Sequence, residues 1–149
     1  MKIYIGADHR GYELKNDLFT WLTNHGYDVY DTTKTFNKDD DYPLMVESLV
    51  TMMKENGLDD SRGIVLCGSG VGVDIAANRF EGIRCALGFD ESQVAHARDH
   101  EDVNVLALAA DEIDVELATK LVQIFLETAA LNEPRMVRRE KQLDKLSKP

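Results

Sequence analysis

Five short apolar runs punctuate the chain, and most are followed by a longer stretch whose apolar residues recur at helical spacing. Lys2–Gly6 reads as a first strand, and Gly11–His25 follows with Leu14, Leu18, Trp21 and Leu22 on one helical face, stopped by Gly26. Tyr27–Asp31 reads as a second strand, Thr32–Asp41 as a polar loop, and Pro43 as the first turn of a helix reaching about Asn56. Arg62–Cys67 is almost wholly apolar after Gly63, the pattern of a strand covered on both faces. A glycine-rich turn opens a helix over Gly70–Phe80, and Ile83–Gly88 reads as strand four. A helix over Asp90–Asp99, capped by Asp90 or Ser92, leads to strand five at Val103–Ala109. The last helical region begins near Asp114, and Pro134 kinks or splits it.

That alternation predicts an α/β protein: a single-domain, Rossmann-like three-layer sandwich over residues 1–149, with a five-stranded parallel sheet and a C-terminal helical extension. Crossovers in such a sheet are right-handed, and ligands bind beyond the carboxyl ends of the strands. The residues to inspect are therefore Gly6-Ala7-Asp8-His9, Cys67-Gly68-Ser69-Gly70, Phe89-Asp90 and Ala109-Ala110-Asp111.

Composition removes several function classes. A chain of 149 residues is one domain's worth, and at 44% apolar and 30% charged it can bury a core without a disulfide or metal staple. A net charge of −10 repels phosphate polymers and anionic lipid, which argues against a nucleic-acid or membrane-surface binder. There is no apolar run of about 18 residues for a membrane span and no signal-peptide core, so the expected location is the cytoplasm. The two cysteines, Cys67 and Cys85, have no C-x-x-C neighbour, and the four histidines lack zinc-finger spacing. Cys85 fits a small buried thiol.

The strand ends carry the chemistry. Asp8-His9-Arg10 places three ionisable side chains after a strand. Asp8 suits a substrate hydroxyl or a helix cap, and His9 suits proton exchange or an anion. Cys67-Gly68-Ser69-Gly70-Val71-Gly72 lets the backbone approach a ligand and aim N–H groups at a negative atom, either a phosphate or a developing oxyanion. Donors and a helix start beside Cys67 favour a thiolate, which serves as nucleophile or general base. The loop is Gly-x-Gly-x-Gly rather than Gly-x-Gly-x-x-Gly. Asp90 nevertheless falls about twenty residues after Gly70, as a ribose-binding acid would, so a nucleotide module stays open. A dinucleotide oxidoreductase lacks residues for a substrate domain. His96 and His100 stand at i, i+4 without an evident third metal ligand, and His100 lies at the helix end just before strand five, where a polar loop is expected to face the site. Residues 134–149 hold six basic side chains against two acidic ones, and Arg135, Arg138 and Arg139 share one helical face suited to phosphate oxygens or to solvent.

In this order and on these elements, the motifs resemble the ribose-5-phosphate isomerase B family, which also includes the galactose-6-phosphate isomerase subunits. The resemblance runs over nearly the whole chain: Gly6-Ala7-Asp8-His9-Arg10-Gly11, Asp41-Tyr42-Pro43, Cys67 to Gly72, Ala76-Ala77-Asn78-Arg79 and Asn104-Val105-Leu106. It implies an aldose–ketose isomerase of the pentose phosphate pathway that interconverts ribose 5-phosphate and ribulose 5-phosphate through a cis-enediolate, with no metal and no cofactor. It implies that Cys67 is the base, with Ser69 and the amides of Gly68, Gly70, Val71 and Gly72 holding the enediolate oxygens. It implies that Asp8 and His100 handle ring opening, that His9, Arg135 and Arg139 hold the phosphate, and that Tyr42 lines the pocket. It implies a homodimer or homotetramer with shared sites, in which the helix over about 130–149 reaches a neighbouring subunit. The chain departs from the usual pattern at Glu101 and Asp111, two carboxylates near a phosphate site, and before Arg135. Arg138 is a candidate to offset Asp111. The alternatives are an isomerase of allose 6-phosphate or galactose 6-phosphate, or a non-catalytic sugar-phosphate or nucleotide binder.

Overall fold

The computed structural model describes residues 1–146. Its elements follow the order β1 (Lys2–Ala7), α1 (Tyr12–Asn24), β2 (Val29–Asp31), α2 (Tyr42–Asn56), β3 (Ser61–Cys67), α3 (Val71–Ala77), β4 (Cys85–Gly88), α4 (Glu91–Glu101), β5 (Val105–Ala109), α5 (Val115–Glu127) and α6 (Pro134–Leu146). The strands form one parallel sheet in the order β2-β1-β3-β5-β4.

Side chains alternate between the two faces of each strand, and both faces are covered. Ile3, Ile5, Ile64, Leu66, Leu106 and Leu108 pack with Leu18 and Leu22 of α1, Val94 of α4, and Leu121 and Phe125 of α5. Tyr4, Val65, Cys67, Val105 and Ala107 pack the other way, with Val46, Leu49 and Met53 of α2 and Val73 and Ala77 of α3. This is the three-layer sandwich expected from the sequence, and its parity puts Cys67 on the α2–α3 side.

Several boundaries differ from the sequence reading. Ile83 closes a turn on the carbonyl of Phe80 at 3.1 Å, and Val103 closes the end of α4 on the carbonyl of Ala97 at 3.1 Å, so both apolar residues precede their strands. α3 is seven residues long and ends at Ala77, with Asn78 as its C-cap, rather than at Phe80. Of the two caps offered for α4, Asp90 is the one used, accepting from Gln93 N–H at 2.9 Å, and Asp114, near which the last helical region was expected to begin, caps α5 by accepting from Leu117 N–H at 2.8 Å. Pro134 splits the last helical region by starting α6, where its missing N–H costs nothing. The basic segment's Lys148, with the rest of 147–149, lies outside the described residues. Among the described residues no helix is long and apolar enough to cross a membrane.

Candidate active site

The chain leaves β1 toward β2 on one side and leaves β3 toward β4 on the other, so the sheet's switch point lies between β1 and β3. The register Ala7↔Leu66 brings Asp8 and Cys67, the next residue on each strand, side by side there. Asp8 N–H donates to the Leu66 carbonyl at 3.1 Å, and Gly11 presses so closely on Leu66 that an added Cβ would meet its Cβ at 2.7 Å.

Cys67 is 5% exposed. The Gly70 N–H donates to its Sγ at 3.2 Å, a contact that a thiolate accepts more strongly than a thiol. Gly70 adopts φ 73°, a left-handed conformation, and a Cβ there would meet Leu87 Cδ1 at 2.4 Å and the Ala109 nitrogen at 3.1 Å. Because α3 is only two turns long, the local amides rather than a long helix dipole define the turn's polarity. Ser69 and Val71 are exposed. The Tyr42 ring lies against Gly72, where a Cβ would meet its Cζ at 2.9 Å. Tyr42 therefore borders the turn.

Asp8 is buried, and its Oδ1 accepts the N–H groups of Arg10 at 3.0 Å and Gly11 at 3.1 Å. Oδ2 is not engaged by those amides. His9 Nδ1 pairs with Asp40 Oδ1 at 2.8 Å, and the Asp40 hydrogen bond raises the imidazole's pKa, keeping His9 cationic to higher pH. Asp40 sits in the loop before α2 and carries no motif that would have marked it. Arg10 pairs with Asp111, and Lys15, fully buried, pairs with Asp31 at 2.6 Å and with the Thr33 carbonyl at 3.0 Å. Thr33 Oγ1 in turn accepts the Ala7 N–H at 3.0 Å, which ties this loop to the strand that carries Asp8. Cys85 is the structural thiol, its pKa pushed well up by burial and by the Asp74 carboxylate.

His100 is at a helix end, as read from the sequence, but that end does not face this turn within the chain. It lies at the end of α4, before the amino end of β5, and that end is the opposite edge of a parallel sheet, about 20 Å away over the length of β3. There it stacks on His96 with centroids 5.2 Å apart and lies 3.6 Å from Asp99. The Leu131 N–H bonds the Asp99 carbonyl at 2.8 Å and so brings the approach to α6 beside His100. Arg135 and Arg139 are exposed on α6, and Glu101 and Arg139 line one shallow cleft. The expected site residues thus fall into two groups at opposite ends of the strands: Asp8, His9, Tyr42 and the Cys67–Gly72 turn at one, and His100, Arg135 and Arg139 at the other. Among the described residues no three His, Cys, Asp or Glu side chains gather as a metal site.

A doubly wound parallel sheet with a thiol and an Asp-His pair meeting a donor-lined glycine turn at its switch point defines an α/β protein that handles small anionic metabolites. The chain belongs to the Ribose/Galactose Isomerase family, whose sequence model matches residues 3–146. It is 35% identical over 140 residues to ribose-5-phosphate isomerase B of Mycolicibacterium paratuberculosis, covering 93% of this chain and 87% of that protein. It is 40% identical over 126 residues to a probable ribose-5-phosphate isomerase B of Mycoplasma pneumoniae, covering 84% and 82%. The structure of ribose-5-phosphate isomerase B from Clostridium thermocellum superposes with a TM-score of 0.91 at 36% identity over 98% of this chain and 97% of that one. The enzyme from Mycoplasma genitalium, solved with bound ribulose-5-phosphate, superposes with a TM-score of 0.90 at 34% identity over 97% and 95%.

Proposed function

We propose that this chain is an aldose–ketose isomerase that interconverts ribose 5-phosphate and ribulose 5-phosphate in the cytoplasm. It acts as one domain within a homodimer or larger assembly that shares its sites. The observation that carries the reading is the Gly70 N–H aimed at the Cys67 sulfur inside the glycine turn, beside Asp8 at the sheet's switch point.

The reaction moves one proton between adjacent carbons. His100 of a neighbouring subunit donates to the ring oxygen while Asp8 Oδ2 takes the C1 hydroxyl proton, which opens the sugar. Cys67, as thiolate, removes the proton from C2. The C2–H electron pair forms the C1=C2 bond, and the carbonyl pair moves to O1. Ser69 and the amides of Gly68, Gly70, Val71 and Gly72 hold the enediolate oxygens, the charge a fixed donor set stabilises most. The thiol returns the proton to C1, the O2 proton passes to O1, Asp8 gives its proton to solvent and His100 takes one back, and the ketose is released with Cys67 again a thiolate. His9, Arg135 and Arg139 hold the phosphate, which positions C1 and C2 against the sulfur. No step calls on a metal or a cofactor.

The test is isomerisation of an aldose-phosphate panel with and without chelator. Ribose 5-phosphate should be preferred to the 6-phosphates of allose and galactose, and chelator should leave the rate unchanged. Cys67→Ala should lower kcat by about a hundredfold to ten-thousandfold while ribose 5-phosphate still binds. Normal turnover by that variant removes the base from the scheme.

A further inference from the structure

We infer that Arg10, held by Asp111, is a substrate-phosphate contact of this site, and that Asp111 is its positioning residue. The inference rests on the isomerase reading for the substrate's identity, but its geometry is independent of it.

Arg10 follows His9 directly. Its backbone is set by the Asp8 carboxylate, which accepts the Arg10 N–H at 3.0 Å. Its guanidinium is set from across the site by Asp111, which forms an ion pair through Nη2. Asp111 is itself fastened to the glycine turn, because its N–H donates to the Gly68 carbonyl at 3.0 Å, and the preceding Ala110 N–H donates to the Cys67 carbonyl at 2.9 Å. The pair lies directly over Gly68, where an added Cβ would meet Arg10 Nε and Asp111 Oδ2, each at 2.6 Å. Arginine and aspartate therefore form one wall of the Cys67 turn, as the Tyr42 ring forms another at Gly72.

Charge decides what that wall does. Asp8, Asp40 and Asp111 are each engaged, Asp8 Oδ1 by two amides, Asp40 by His9, and Asp111 by Arg10, while Glu13 lines the cleft that His9 and Arg10 share. An unpaired Asp111 at this point would repel a sugar phosphate. Paired, it orients a guanidinium that has five N–H donors and uses one of its nitrogens on Asp111. The Arg10 side chain is 60% exposed and lines one cleft with His9, so its remaining donors are open to a ligand there. A fork held at one end and free at the other suits phosphate oxygens. In this role Arg10 also offsets the carboxylate at the end of β5, without recourse to Arg138 on α6.

The experiment compares wild type, Arg10→Ala and Asp111→Asn in steady-state isomerisation of ribose 5-phosphate, with inorganic phosphate as competitive inhibitor and the melting temperature measured alongside. Arg10→Ala should raise KM and the phosphate inhibition constant together by roughly tenfold to hundredfold, with kcat within about threefold. Asp111→Asn separates positioning from simple charge. Removing a carboxylate would by charge alone tighten anion binding, whereas releasing the guanidinium should weaken it by roughly threefold to tenfold. The inference is overturned if Arg10→Ala leaves both constants within about twofold of wild type while only the melting temperature falls, or if Asp111→Asn tightens phosphate binding. If wild type turns over no aldose phosphate, the isomerase reading fails. Calorimetric binding of inorganic phosphate to wild type and Arg10→Ala then still decides the role of Arg10.

Discussion

Gly70 can hold its amide against the Cys67 sulfur because it has no side chain. Its φ of 73° and the 2.4 Å approach of Leu87 to a would-be Cβ leave no room for alanine. Gly70→Ala should cost about 2–4 kcal/mol, the sum of backbone strain and forced repacking. A melting temperature lowered by roughly 5–15 °C in calorimetry would show it, and an unchanged one would sink the claim. The glycines of the turn were readable in the sequence, but their reasons differ: Gly70 takes the left-handed conformation, whereas Gly68 and Gly72 make room for Arg10 with Asp111 and for the Tyr42 ring. The partner of His9 was not, because Asp40 lies in a polar loop where any of four nearby aspartates and asparagines looks alike. That partner sets a pH dependence. The Asp40 bond raises the folded-state pKa of His9 above its unfolded value, so its contribution is full at low pH and is lost as pH rises through the raised value. Asp40→Asn should move the His9 ring titration, followed by NMR, to lower pH and bring forward the rise in KM on the alkaline side. An unmoved titration would separate the two residues.

At the scale of elements, the boundaries that sequence reading misplaced share one cause. Tyr27, Ile83 and Val103 are apolar enough to extend β2, β4 and β5, but their N–H groups bond to helix-end or turn carbonyls, at 3.1 Å in each case. Periodicity reports which residues are buried, not which backbone partner they take. Lys15 shows the same limit. Charged residues rarely lie in a core unless paired, and nothing local marks this one as the tie between α1, the end of β2 and the loop before α2. Its ammonium also stands 4.5 Å from the Tyr12 ring centroid. Lys15→Met should destabilise by about 3–5 kcal/mol, because it strands Asp31 beside the core. Lys15→Met with Asp31→Asn should recover part of that loss in urea titration. A single variant as stable as wild type would show that the buried pair does not hold these elements.

The whole molecule poses the question that one chain cannot answer by itself, since the two groups of expected site residues lie at opposite ends of its strands. The sequence already held both sets of residues, and the resemblance implied that they meet between subunits. What it could not convey is what keeps them apart within one chain. A helix that precedes a parallel strand ends at that strand's amino edge, so His100 is barred from Cys67 within a chain by topology rather than by distance alone. Separation of the two sets predicts complementation. Cys67→Ala and His100→Ala should each be nearly inactive alone. Unfolded together and refolded, they should form mixed dimers in which one site carries both defects and the other carries none. With random pairing about half the dimers are mixed, so activity should return to about a quarter of the wild-type value per site, and size-exclusion chromatography should show the dimer or a multiple of it. Recovery near zero, with mixed dimers demonstrated by mass, would mean that His100 and Cys67 do not serve a common site. The arginines of α6 make the same case independently: Arg135→Ala should be complemented by Cys67→Ala but not by His100→Ala, because Arg135 and His100 enter a site from the same subunit.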